Sequence, residues 1–182
     1  MTALLALTAG WSFAEGLLFF LVADIPISWI ALRHGWKAGL MAAGIAATSA
    51  ALGGLAMALW ASRDAAGAHA ALVALPAIDE RLIGDIAARW AEGGYTAMAK
   101  GAFTGTPYKL FAYTQGQAPH GGAVLFLLGS IVARLPRFVL VALGVSAISR
   151  GSSRWLGQRA RQGLLVLCWL AFYGWYFTVM PG

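Results

Sequence analysis

Charge is what this chain has least of. Only 11% of its 182 residues are Asp, Glu, Lys or Arg, against roughly 25% in an ordinary soluble domain. With 60% hydrophobic residues and a mean hydropathy of +0.72, the composition excludes a typical soluble domain. It points to an integral membrane protein of one compact domain, residues 1–182. Acids are scarcer than bases, seven against 13, for a net charge of +6. The bases stand at the ends of apolar stretches or inside them. Lipid headgroups or an anionic substrate therefore fit better than nucleic acid. A single cysteine, Cys168, excludes an internal disulfide, and its place in the last apolar stretch reads as packing. His34, His69 and His120 are scattered without ligand spacing, so no metal site is expected. No nucleophile elbow, metalloprotease pair or phosphate loop occurs, and neither an enzyme nor a cofactor is expected. No Lys or Arg precedes Arg33, and Glu15 interrupts the first apolar run. A cleaved signal peptide begins with a basic region, so the N-terminal residues are expected to remain.

What is present is a series of apolar stretches of unequal quality. Residues 3–22 are long enough to span, since about 20 apolar residues cross a ~30 Å hydrocarbon core. Glu15 falls inside them, and Asp24 and Pro26 follow directly. Proline removes an amide donor, so the helix should break near Asp24–Pro26. Residues 38–61 are a span of alanine and glycine. Gly39, Ala43, Ala47 and Ala51 recur at four-residue spacing, a face that another helix can approach closely. Residues 62–76 read as a loop or poorly ordered linker. Over 78–92, Leu82, Ile83, Ile86 and Trp90 share one helical face behind an Asp79 cap. That helix is too short to span and should lie in the membrane interface. Residues 123–148 and 163–180 complete the spans of an all-α membrane protein, and the Trp and Tyr of 169–176 read as an interface belt or packing.

Loop charges orient these pieces. Arg33 and Lys37 mark one loop, and Arg150, Arg154, Arg159 and Arg161 mark another. Positive loops favour the cytoplasm. If both are cytoplasmic, 38–61 runs outward and 123–148 runs inward. Residues 95–118 then begin and end outside, so they either dip in and return or stay out. Gly105 and Pro107 supply a hinge for the dip, and Pro26 supplies one for a matching hairpin over 11–33. Irregular backbone at that depth must be buried in protein or line a watery cavity. Two re-entrant hairpins, each followed by a span, describe an inverted repeat with a site near the midplane.

Six ionisable residues lie inside the apolar stretches: Glu15, Asp24, Lys100, Lys109, Arg134 and Arg137. Each costs roughly 2.5–3.5 kcal/mol at the bilayer centre on insertion scales. Arg134 and Arg137 are three apart and share a helix face. One reading makes them structural partners of Glu15 or Asp24. The other makes them, with Lys109, a lining for an anion, because four bases outnumber two acids and leave two positive charges over. Glu15 and Asp24 are candidates for proton relay or gating. Lys100 reads as the outer lip of the hairpin.

The segments "GAFTGTPYKLFAYTQG" and "LGSIVARLPRFVLVALG" resemble the DedA superfamily of membrane proteins (the VTT or SNARE-associated domain), and its YqaA-like branch in particular. The resemblance rests on Gly101, Phe103, Pro107, Tyr108, Lys109, Phe111, Gly116, Arg134, Arg137 and Phe138. Glu15 and Asp24 match the spacing of the two acids in the family's first hairpin, although Pro26 follows the second acid instead of preceding it. The resemblance implies opposed re-entrant hairpins in a bacterial inner-membrane, multi-pass protein. It also implies movement of lipids such as undecaprenyl phosphate or phospholipid, with proton coupling. The expected partners are membrane lipids, an anionic lipid headgroup and protons, with a homodimer left open. Two alternatives stay open: a proton-driven transporter of a small soluble ion, and a non-transporting envelope-maintenance protein.

Overall fold

Small side chains decide how this chain packs. A computed structural model describes residues 1–179; Met180, the last residue of the expected 163–180 span, lies outside them. Among the described residues every element is a helix. They are α1 (Thr2–Leu17), α2 (Asp24–Arg63), α3 (Ala65–Val73), α4 (Glu80–Thr104), α5 (Tyr108–Gln117), α6 (Ala123–Ser152) and α7 (Gln158–Val179). The expected all-α class holds. α2 and α6 are long and apolar enough to cross a membrane, and they contain the expected spans 38–61 and 123–148.

α2 is two helices joined at a sharp turn. Gly35 takes φ +82° and ψ −179°, a conformation open almost only to glycine. Residues eight apart in a straight helix are about 12 Å apart. Here a Cβ on Gly39 would lie 2.9 Å from that of Ala31, so the chain doubles back. α4 contains a similar departure at Gly94, with φ +48° and ψ −125°. One pattern therefore occurs twice. Helix 2–17, a break and helix 24–34 lead into the long helix 36–63. Helix 95–104, a break and helix 108–117 lead into the long helix of α6.

The first break covers residues 18–23 and precedes Pro26. Pro26 lies in the first turn of α2, where an amide has no helical partner to lose. It is therefore not the hinge the sequence suggested. The second break falls at Gly105–Pro107, as expected. Gly105 ends α4 in the left-handed conformation, and Pro107 stands extended before α5.

The alanine face of residues 36–63 carries the packing. Ala42, Ala43, Ala46 and Ala47 are fully buried in a cluster with Phe138 and Ala142 of α6. α1 crosses the same helix backbone to backbone. A Cβ on Gly53 would strike the Phe13 carbonyl, and one on Gly16 the Ala50 carbonyl. Such closeness maximises dispersion where lipid offers no hydrophobic drive between helices.

Residues 62–76 are not the loose linker expected. Asp64 accepts from the Gly67 amide at 2.9 Å and starts α3, which buries Ala68 and Leu72. Over 80–93 the expected amphipathic helix forms behind the Asp79 cap. Ile83, Ile86 and Trp90 are buried, while Arg81, Asp85 and Arg89 face outward. Most of α7 is exposed, and Cys168 on it is exposed instead of packed.

Candidate functional site

Both breaks meet the middle of α6. Arg134 and Arg137 lie one turn apart there, about 16 Å or more from either end at 1.5 Å per residue. Arg134 pairs with Glu15, near the end of α1. Arg137 pairs with Asp24, the first residue of α2. The second guanidinium nitrogen of Arg137 donates to the Ala102 carbonyl at 2.8 Å, next to the other break. A single turn of α6 thus holds both interrupted segments. Glu15, Asp24 and Arg134 are buried and Arg137 is partly buried. Buried charges in such surroundings require partners, and these have them.

Aromatic groups complete the clamp. The Arg134 guanidinium lies over the Tyr108 ring at 4.4 Å and the Phe138 ring at 5.0 Å. Cation–π contacts of this kind strengthen as water is removed. The Tyr108 hydroxyl donates to Ser130 Oγ at 2.8 Å. Its ring lies against Gly54, where a Cβ would collide with it. The first break is pinned twice: Trp11 Nε1 donates to the Leu21 carbonyl at 3.1 Å, and the Val22 amide donates to Tyr173 Oη at 2.9 Å. Trp169 Nε1 adds a 3.1 Å hydrogen bond to Ser28 Oγ, which ties α7 to the same region.

Lys109 is the exception to the pairing. It is 5% exposed, yet its ammonium has no hydrogen-bond or ion-pair partner among the described residues. It faces a cavity of about 500 Å³ that Glu15, Asp24, Arg134 and Arg137 also line. Five acidic or basic side chains from both halves of the chain therefore share one space. The sequence expectation of two positive charges left over becomes one, because Lys100 is exposed and does not line the cavity. Asp24 Oδ1 and Arg134 Nε are buried without partners, so unsatisfied polar capacity remains in the wall.

The cavity wall also contains groups that sequence reasoning assigned elsewhere. Phe172, Tyr173, Trp175, Tyr176 and Phe177 of α7 line it, where an interface belt or plain packing was expected. Their spacing along α7 is visible in sequence, but which helix face turns inward is decided by tertiary contact. Thr104 and Thr106 stand at the second break, with hydroxyls 3.2 Å apart. At the rim, Phe20, Phe103, Trp175 and Phe177 are exposed apolar side chains. The lining thus combines buried charged groups with exposed apolar side chains. Searches against family models, curated proteins and solved structures find no match to this chain.

Proposed function

We propose that this protein is a DedA-like, multi-pass membrane transporter that moves an anionic lipid headgroup across the bacterial inner membrane. In this reading the two helix–break–helix units are opposed re-entrant hairpins of an inverted repeat. The observation that carries it is Lys109: a buried lysine whose ammonium, without a protein partner among the described residues, opens onto a cavity beside two arginine–carboxylate pairs. An unpaired charge in an apolar medium is costly. A site that keeps one is suited to an anion that arrives and leaves.

The chemistry follows from the pairing. A phosphate-bearing headgroup meets Lys109 first, while Arg134 and Arg137 stay with their carboxylates until a proton arrives. A proton on either carboxyl releases its arginine, which is how the acids would gate the site or couple it to protons. The exposed aromatic rim lets the lipid tail stay in the bilayer while the headgroup crosses. That rim favours a lipid over a small soluble ion, which needs a fully aqueous path.

The test is translocation by purified protein in liposomes, with undecaprenyl phosphate, phosphatidylglycerol and phosphatidylethanolamine as substrates. Wild type is expected to move at least one of the anionic lipids, and Lys109→Met to abolish that movement while remaining folded. Unchanged rates in Lys109→Met would refute the role of the lysine. Absence of transport by wild type would refute the function.

A further inference from the structure

The charges around the cavity bear on the class of headgroup it takes. This step rests on the lipid-transport reading above. The cavity is lined by two carboxylates and three cations. Arg134 with Glu15 and Arg137 with Asp24 form two closed pairs, each neutral as a unit. Only Lys109 is left, so with its amine protonated the resting site holds one net positive charge. A second feature lies beside it. α5 starts at Tyr108 with no side-chain cap, and the amides of Tyr108 and Lys109 have no backbone acceptor among the described residues. Helix starts of this kind attract oxyanions through free N–H groups and the helix dipole. Gly105, Thr106 and Pro107 place that start on the same cavity as the lysine.

We propose that the site selects a headgroup bearing a single negative charge, a phosphodiester, over a doubly charged phosphomonoester. One non-bridging oxygen of the diester meets the Lys109 ammonium, and the other meets the open amides of α5. Loaded this way, the cavity is neutral. A monoester would leave one negative charge uncompensated in an apolar surround. A zwitterionic headgroup would bring its own ammonium and leave a positive charge. Selectivity then depends on the count of charges and is tunable by changing that count.

The experiment is equilibrium binding of short-chain lipids to the purified full-length protein in detergent. Phosphatidylmethanol and phosphatidic acid differ only by a methyl cap on the phosphate. At about pH 8, above a second phosphate ionisation near 6, the uncapped lipid tends toward two charges. Wild type is expected to bind phosphatidylmethanol at least about tenfold more tightly than phosphatidic acid. Glu15→Gln adds one positive charge and should move the preference toward phosphatidic acid. Lys109→Gln should weaken phosphatidylmethanol about tenfold. Equal or reversed affinities in wild type overturn the charge-count selectivity without needing any variant to fold. Dimethyl phosphate separates the sources. If it binds as tightly as phosphatidylmethanol, the oxyanion site stands and the lipid reading falls. If wild type binds none of these probes, both fall.

Discussion

At the level of single residues, two kinds of buried charge divide the work, and stability measurements should tell them apart. Arg134 is closed into a pair with Glu15 and stacked on Tyr108. Removing it strands a buried carboxylate. Arg134→Met is expected to lose about 3–5 kcal/mol of stability. Thermal denaturation in detergent reads this, and Glu15→Gln in the same chain should restore most of the loss. Lys109 has no partner, so its removal strands nothing. Lys109→Met should change stability by less than about 1 kcal/mol, while losing transport. A drop in stability in Lys109→Met would mean that the ammonium has a structural partner in the membrane. The sequence already singled out Glu15, Asp24, Lys109, Arg134 and Arg137, because a charge inside an apolar run is conspicuous. It could not say which acid meets which arginine, or that Lys109 would be left over. Those pairings join residues more than 100 positions apart and depend on how α1 and α2 cross α6.

Among the helices, backbone proximity is the governing fact. Gly16 and Gly53 sit where any Cβ would press on a carbonyl of the facing helix. Backbone cannot yield as a side chain can. Gly53→Ala is expected to cost about 1–3 kcal/mol through overpacking, seen as a lower melting temperature. Gly10→Ala, where a Cβ meets nothing, serves as the neutral comparison. Gly35 is different, since its backbone angles and not its neighbours exclude a side chain. Gly35→Ala should cost about 1–3 kcal/mol and loosen the reversal before residues 36–63. The small-residue face of that helix was legible in the four-residue spacing of Gly39, Ala43, Ala47 and Ala51. The reversal at Gly35 was not, because a single glycine among 23 has no signature until its φ is known. The same limit hid α3. Its alanines are weakly amphipathic, and only the Asp64 cap marks where it begins.

For the molecule as a whole, the two helix–break–helix units and their long following helices meet around one cavity, with α7 laid along its edge. Proline signalled both interruptions, though Pro26 lies inside the first turn of α2 and not at the break itself. The inward turn of the α7 aromatics was beyond sequence, because a Trp- and Tyr-rich helix serves equally as an interface belt. The proposal that Lys109 sits at mid-depth requires residues 95–118 to enter the membrane and return on the side they came from. Single cysteines answer this directly in a Cys168→Ser background. Thr96→Cys near the start of the segment and Pro119→Cys just past its end stand at exposed positions. Labelling with a membrane-impermeant maleimide in right-side-out and inverted vesicles should modify both from the same face. Modification of the two from opposite faces would make 95–118 a crossing segment and contradict the re-entrant site.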